Sequence, residues 1–226
     1  MHKYIITDEV KKSAILRRGK LHPYENLIAK KTALVIIDMQ NAFVEKGAGH
    51  AWIPNAASTC KNINLISDKI REKKGLVIWV LNTFEEKSLS EWSHFHEYLS
   101  SKETLKLRSQ SMSENSYGHK LYKSLKTKKN DIFEKKFFYS AFIQGSSNIN
   151  QILKKNKIEN IIITGTATNV CCESSARDAM MLNYKTIMVS DACSASNDEQ
   201  HTFSLNSFII NFGDVRTTDQ ILKIIN

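Results

Sequence analysis

Residues 158–192 read IENIIITGTATNVCCESSARDAMMLNYKTIMVSDA, and this stretch decides the fold. Both of its ends are apolar runs of strand length, and the segment between them predicts a helix. A strand, a helix and a second strand in this order form a parallel pair joined by a helical crossover. Because the strand runs are continuously apolar, both faces of the sheet are expected to be covered.

The same alternation of strands and helices runs through most of the chain. Further strands are predicted in residues 32–40, 75–81, 132–142 and 212–216, and further helices in 54–74, 146–157, 197–210 and at the C-terminus. No repeat and no linker rich in Pro, Gly or Ser divides these elements. We therefore expect one α/β domain over residues 32–226, built as a three-layer α/β/α sandwich around a mainly parallel sheet.

Two segments lie outside this alternation. Residues 1–31 are polar and weakly periodic, which predicts an N-terminal arm with a short helix. Residues 83–130 are rich in Ser, Lys, Glu and His, with a helix expected around residues 117–125, and they are too long for a simple turn. We interpret residues 83–130 as an insertion that serves either as a lid or as an oligomer contact.

The composition excludes several classes of protein. The chain has 226 residues, of which 42% are hydrophobic and 24% charged, as in an ordinary globular protein. It has no apolar run long enough to span a membrane, and its N-terminus lacks the apolar core of a secretory signal. We therefore expect a cytoplasmic protein without a membrane partner. The four cysteines are too few and too irregularly spaced for a disulfide framework, so free thiols are expected.

The net charge of +9 raises the question of a nucleic-acid partner. Only six of the 32 basic residues are Arg, which is the better reader of phosphate and guanine. The lysines also alternate with acidic residues, as on a solvated surface. We expect no nucleic-acid partner, and a polyanion site in residues 102–136 is the alternative.

Three predicted strands end in polar residues, and active sites of parallel sheets lie at the carboxyl ends of the strands. Asp38 ends the first strand, where a carboxylate acts either as an acid or base or as a structural cap or ion-pair partner. Lys135 and Lys136 precede FFYSAF, where a lysine is either desolvated between aromatic rings or solvated at the surface.

Cys171 falls in the first turn of the helix predicted after Gly165. The free N–H groups and the positive end of the dipole at a helix start stabilise a thiolate, and they can also bind an oxyanion. The alternative is a simply buried cysteine. Cys172 points about 100° away around the helix and is expected to pack inward. Ser174 and Ser175 lack the GxSxG context of a serine nucleophile.

Three segments, read together, resemble the isochorismatase-like cysteine hydrolases. They are ALVIIDMQNAF (33–43), EKKFFYSAF (134–142) and ITGTATNVCCESSARDAMMLNYKTIMVSDACSA (163–195), and the similarity covers about residues 30–226. The resemblance implies a Rossmann-like parallel sheet and an Asp–Lys–Cys triad without a cofactor. Residue by residue, the triad would be Asp38, Lys136 and Cys171, with Lys135 as the alternative register.

The same resemblance implies further features of the site. A cis peptide bond would fall at Thr166–Ala167, and the backbone N–H groups of Ala167 and Cys171 would form an oxyanion hole. Asn82, at the end of the second predicted strand, matches an Asn of the family that could hydrogen-bond a ureido group, and its alternative is a turn residue. Tyr139 and Phe43 are expected to line the substrate pocket or, alternatively, to belong to the core. Family members are usually dimers or tetramers, so a homo-oligomer is expected.

The resemblance also narrows the expected activity. DMQNAF together with GTATNVCCES is most similar to the ureidoacrylate amidohydrolase-like branch. That implies hydrolysis of the C–N bond of a small amide or ureido substrate by water, through an acyl-thioester. The alternatives are another small amide or lactam, of the biuret, carbamoylsarcosine or nicotinamide type, or a non-catalytic binding protein on the same fold.

No metal site is expected. Nicotinamidases share a metal-binding DxHxxH-type segment after the second strand, and this chain has no such spacing there. His94 and His96 form an HxH pair, but the sequence offers no obvious third ligand nearby.

Overall fold

The computed structural model describes residues 1–226, and its centre is a six-stranded sheet in which every pair of neighbouring strands is parallel. The strands are β1 (Thr32–Ile37), β2 (Leu76–Asn82), β3 (Ile132–Lys136), β4 (Asn160–Thr166), β5 (Lys185–Ser194) and β6 (Asp214–Arg216). Their order across the sheet is β3-β2-β1-β4-β5-β6. The direction of winding reverses between β1 and β4, which is where sheets of this type place their sites. The predicted Rossmann-like parallel sheet is confirmed.

Ten α-helices surround the sheet. They are α1 (Asp8–Arg18), α2 (Asn41–Val44), α3 (Ala56–Glu72), α4 (Lys87–Glu91), α5 (Ser93–Tyr98), α6 (Lys102–Met112), α7 (Ile149–Lys155), α8 (Glu173–Met181), α9 (Asp198–Asn211) and α10 (Thr218–Ile224). A 3-10 turn covers Ala29–Lys31, and a π-helical turn covers Thr168–Cys172 just before α8. None of the helices is both long and apolar enough to cross a membrane.

Alternate residues of β1 point into two separate hydrophobic cores. Ala33, Val35 and Ile37 pack with residues of α7, α8 and α9 on one face of the sheet. Leu34 and Ile36 pack with residues of α3 and α10 on the other face. All six residues of β1 are buried, and after Thr32 the strand is continuously apolar rather than alternating. The predicted three-layer sandwich is therefore confirmed.

The segment that joins β2 to β3 differs from its prediction. It contains the short helices α4, α5 and α6, and the helix expected around residues 117–125 is wrong. Residues in that range form turns held to the exit of β1, where Asn41 N–H donates to Lys120 O and Tyr122 N–H donates to Met39 O. These long-range hydrogen bonds outweigh local helix propensity. The polar sequences of α4 to α6 lack a regular apolar face, so the sequence alone does not indicate these three helices.

Residues 1–31 contain the short helix that the sequence predicts. Helix α1 begins after the N-cap Thr7, ends at Gly19 in a left-handed conformation, and contacts α9. Before α1, the side chain of His2 is buried and hydrogen-bonds to the backbone of Ala195. The first residues of the chain therefore lie against the end of β5.

Gly165, near the end of β4, allows the two central strands to approach closely. Its φ is +115°, and a Cβ atom there would lie 2.0 Å from the carbonyl oxygen of Ile37 on β1. Only glycine fits this position. Directly after Ile37 the chain leaves β1 through Asp38, whose φ of 52° is also left-handed.

Candidate active site

The carboxyl ends of the four strands β3, β2, β1 and β4 lie at the same level of the sheet. In the strand register, Lys136 pairs with Asn82, and Ile37 pairs with both Val80 and Gly165. Asp38 therefore follows β1 at the edge where β3 ends in Lys136. Parallel pairing brings together residues that are almost 100 positions apart in sequence.

Lys136 connects the two other members of the predicted triad. Its Nζ lies 2.9 Å from Oδ2 of Asp38 and 3.4 Å from Sγ of Cys171, and it also donates to the carbonyl of Phe138 at 3.0 Å. The side chains of Asp38 and Lys136 are fully buried, while Cys171 is 6% exposed. The structure thus brings all three residues into one buried cluster.

The alternative lysine lies elsewhere. Lys135 points to the opposite side of β3 and forms a surface ion pair with Glu114 at 2.6 Å. Neighbouring residues of a strand alternate between faces, so only one of the two lysines can reach the cluster. The register that selects Lys136 is the one that the structure adopts.

The ionisation of the cluster departs from the sequence-based expectation of a stabilised thiolate. Burial raises the pKa of the Cys171 thiol to about 12, and although Lys136 opposes this shift, the charge of Asp38 adds to it. The resting sulfur is therefore a protonated thiol near neutral pH. The expectation was wrong because it considered only the start of the helix, and neither the burial of the sulfur nor the neighbouring carboxylate, both of which raise the thiol pKa.

Asp38 and Lys136 form an ion pair behind this thiol. Burial alone would lower the pKa of Lys136, but the negative charge of Asp38 and the contacts with Asp38 and Cys171 outweigh it and raise that pKa. Burial raises the pKa of Asp38, and Lys136 partly offsets the shift. Asp38 is accordingly a stronger base than an exposed carboxylate, while the adjacent ammonium stabilises its charge.

The turn that carries Cys171 has an unusual backbone. The Thr166–Ala167 peptide bond is cis, as the resemblance implies. Cys171 then lies in the π-helical turn rather than in the first turn of α8. The carbonyl of Ala167 accepts the N–H groups of Val170 and Cys172, while the Ala167 N–H donates to no protein acceptor. This N–H is therefore available to a ligand.

The neighbours of Cys171 have structural contacts. Cys172 is fully buried, with its Sγ 3.8 Å from the carbonyl of Thr164, so the prediction that it packs inward is confirmed. Ser175 is buried, and its hydroxyl accepts the backbone N–H of Ala141. That hydrogen bond ties α8 to the segment that follows Lys136.

A cavity of about 410 Å³ opens onto the sulfur. Cys171 and Ala167 lie in its wall, together with Phe43, Asn82 and Tyr139, which are the three residues predicted to contact a substrate. Asp38 and Lys136 are not among the lining residues. A molecule in the cavity can therefore touch the sulfur, while the ion pair stays behind it.

Gln40 fixes the position of Asn82 in this wall. The Gln40 side chain accepts the Asn82 N–H at 2.9 Å and donates to the Asn82 carbonyl at 3.0 Å. The Asn82 side-chain amide has no hydrogen-bond partner within the protein, and Asn82 lines the cavity, so the amide is available to a ligand.

Much of the cavity wall comes from residues that the sequence analysis did not single out. These include Phe95, Leu99, Ser100, Thr104 and Arg108 from the insertion, and His50, Asn169, Ser196 and Gln200 from elsewhere. The insertion was missed because it matches no motif. The sequence does contain one signal for Arg108. It is the only arginine between Arg71 and Arg177, a range in which every other positively charged side chain is a lysine.

The HxH pair is not a joint site in this structure. The His94 ring packs against Tyr98, whereas His96 is buried against Phe84 and Trp92. No group of three or more His, Cys, Asp or Glu side chains has an arrangement that could hold a metal ion.

These features define a class: a Rossmann-like α/β protein in which a cavity at the strand ends exposes one cysteine backed by a buried Asp–Lys pair. The isochorismatase domain model matches residues 32–220. The chain therefore belongs to the isochorismatase family, and it is a hydrolase of that family.

Similar proteins include the ureidoacrylate amidohydrolase RutB of Agrobacterium fabrum, which is 30% identical over 174 residues, covering 72% of this chain and 75% of the relative. A cysteine hydrolase from Pseudomonas syringae pv. phaseolicola has a similar structure, with a TM-score of 0.74, 22% identity, and coverage of 89% of this chain and 96% of that one. The N-carbamoylsarcosine amidase from Thermoplasma acidophilum has a TM-score of 0.65 and 23% identity, covering 84% and 97% of the two chains. The two structural matches support the fold alone.

Proposed function

We propose that this protein is a cysteine-dependent amidohydrolase that cleaves the C–N bond of a small amide or ureido substrate. The observation that carries the proposal is the position of the Cys171 sulfur, which faces the cavity and has Lys136 3.4 Å behind it. The Asp38 carboxylate lies 2.9 Å from the same ammonium and is also within hydrogen-bond reach of the Cys171 thiol. A nucleophile, a proton acceptor and a fixed positive charge are thus arranged around one reacting carbonyl.

In the first step, Asp38 accepts the thiol proton while the sulfur of Cys171 attacks the substrate carbonyl carbon. The Lys136 ammonium stabilises the negative charge that moves from carboxylate to sulfur. Because the thiol pKa is raised to about 12, proton transfer accompanies attack instead of preceding it.

The tetrahedral intermediate carries its negative charge on the former carbonyl oxygen. We assign its stabilisation to the N–H groups of Ala167 and Cys171, both in the cavity wall. Protonated Asp38 then donates its proton to the departing nitrogen, the C–N bond breaks, and an acyl-thioester remains on Cys171.

Water completes the reaction. With Asp38 again ionised, the carboxylate accepts a proton from a water molecule that attacks the thioester carbonyl. The C–S bond breaks, the sulfur takes the proton back from Asp38, and the acid product leaves. Each turnover consumes one water and restores the resting cluster without any other reagent.

Similarity to the ureidoacrylate amidohydrolase of Agrobacterium fabrum favours a ureidoacrylate-like substrate. The relation is distant, and much of the cavity wall comes from the insertion. We therefore propose the chemical class, a small amide or ureido compound, with ureidoacrylate as the first compound to assay.

An ammonia-release screen of the purified protein tests this function. It should include ureidoacrylate, carbamoylated amino acids, biuret, nicotinamide and small lactams (the lactams with a ring-opening readout), each with a Cys171→Ala control. Turnover that depends on Cys171 supports the proposal. No turnover of any compound would favour the non-catalytic binding protein.

The pH dependence of kcat/KM should report the ionisation of Asp38. Burial raises its pKa above the usual carboxyl value, so the carboxylate becomes protonated at a higher pH than an exposed Asp would. Because protonated Asp38 cannot accept the thiol proton, we expect activity to fall on acidification at a higher pH than the ordinary carboxyl pKa would give. Circular dichroism at each pH checks that the protein stays folded, and activity that persists down to the unfolding pH contradicts the assignment.

We also propose that the protein works in the cytoplasm as a homodimer or homotetramer. Leu16 on α1 and Phe203 on α9 are 90% and 76% exposed, and these two helices contact each other. Large apolar side chains exposed on adjacent helices are typical of a contact between copies.

A further inference from the structure

Arg108 occupies an unusual position for an arginine. It lies in α6, within the insertion, and its side chain lines the same cavity as the Cys171 sulfur. The residue is only 6% exposed. Its guanidinium lies 5.5 Å from the centre of the Trp92 ring and 5.0 Å from that of Phe95, so aromatic rings support it.

Unlike Arg71, Arg177 and Arg216, Arg108 has no acidic partner. Arg71, Arg177 and Arg216 each contact a carboxylate, of Asp131, Glu173 and Asp214 respectively. Arg108 forms neither an ion pair nor a hydrogen bond with a carboxylate. A buried cation without a counterion is unfavourable unless something else supplies the negative charge.

The rest of the cavity does not supply that charge. None of its lining residues is acidic, and the Asp38–Lys136 pair behind the sulfur balances itself. His50, which also lines the cavity, has its pKa lowered to about 4 by burial and by Arg108, so it is neutral near pH 7. The cavity therefore presents one uncompensated positive charge, carried by Arg108.

We propose that Arg108 binds a carboxylate of the substrate, so that the substrate is a small acid bearing an amide or ureido group. The inference rests on the proposed function for the reacting end of the molecule. A guanidinium offers two parallel N–H donors that match a carboxylate, and such charge-assisted pairs are among the strongest in proteins. The amide end lies at Cys171, and Phe43 and Tyr139 flank the space between the two ends.

This arrangement gives the insertion a specificity role. The sheet and the turn after β4 supply the reacting groups, whereas α6 supplies the group that selects the substrate. A neutral amide would leave the guanidinium buried without a counterion, and the protein would discriminate against it for that reason.

Two ureido compounds that differ only in charge test the proposal. N-carbamoyl-β-alanine carries the carboxylate, and the analogue with CH2OH in its place is neutral. Arg108→Gln should raise KM for the acid roughly 10- to 150-fold, as expected for hydrogen bonds to a charged group, and should change KM for the alcohol little. Arg108→Lys keeps the charge but loses the planar fork, so an intermediate effect is expected. Lys106→Gln, which removes an exposed charge from the same helix, is the matched control.

Binding measured by calorimetry in a Cys171→Ala background separates this inference from the proposed function. Acid binding that weakens with Arg108→Gln supports the inference even if the wild-type protein hydrolyses neither compound, an outcome that would count against the function. The inference is overturned if Arg108→Gln leaves the affinity for the acid unchanged, or if it lowers the affinity for the acid and for the alcohol by the same factor. Either result counts against the inference even if turnover depends on Cys171. Thermal melts confirm that each variant is folded. If Arg108→Gln does not fold, Arg108→Lys is compared with the protein that keeps Arg108 instead.

Discussion

Replacing Cys171 by alanine is expected to lower kcat/KM for any hydrolysed substrate by about 10,000-fold or more. The variant lacks the only atom that can form the acyl-thioester, and loss of a covalent nucleophile has effects of this size in hydrolases. Cys171→Ser should be almost as inactive, because Asp38 is too weak a base to activate a hydroxyl. Steady-state ammonia release on the substrate found in the screen measures the loss.

Cys60→Ala is the matched control for this experiment. Cys60 is also a buried thiol with a raised pKa, about 11, but it lies on α3 and does not line the cavity. Its replacement should leave kcat/KM within a few-fold of wild type. Turnover by Cys171→Ala that survives at a tenth of the wild-type rate would mean that the sulfur is not the nucleophile.

Replacing Lys136 by methionine is expected to destabilise the fold as well as to abolish activity. The change leaves the fully buried Asp38 carboxylate without its ammonium, and breaking a buried ion pair from one side typically lowers the free energy of unfolding by about 3–5 kcal/mol. The double variant Asp38→Asn/Lys136→Met removes both charges and should regain part of that stability while remaining inactive. Urea denaturation followed by circular dichroism measures both differences.

Lys135→Met provides the comparison on the same strand. Lys135 is exposed and pairs with Glu114 at the surface, so its loss should change the unfolding free energy far less. If Lys135→Met and Lys136→Met were equally stable, the buried ion pair would not hold the site as described.

The sequence predicts the sheet well because each buried strand is marked by a short apolar run, which is a local feature of the sequence. β1 and β4 are buried along their whole length, so their apolar runs are unbroken and their polar ends stand out. The same contrast marks Asp38 after β1 and the turn before Cys171. Lys136 is harder to identify from the sequence, because β3 lies at the edge of the sheet and only the last residue of β3 is fully enclosed. The motif, rather than the burial pattern, distinguished it from Lys135.

Other features of the site depend on contacts that no local pattern records. The thiol pKa follows from how completely the folded chain excludes water from Cys171 and from the carboxylate beside it. The role proposed for Arg108 depends on α6 lying over the cavity. The turns at residues 117–125 form because their backbone pairs with the exit of β1, more than 70 residues earlier in the chain.

Alkylation of the native protein by iodoacetamide, resolved by peptide mass spectrometry, tests the central claim most directly. Cys171 borders the cavity, and the Asp38 carboxylate beside it can accept the thiol proton during alkylation, which offsets the raised thiol pKa. Cys172 and Cys193 are enclosed by the core, and Cys60, which lines a separate surface pocket, has no such base beside it. We predict that Cys171 is modified first and well ahead of the other three, and that the difference disappears in urea. Modification of Cys171 no faster than that of the enclosed cysteines would contradict the account, since its sulfur would not be open to a small amide.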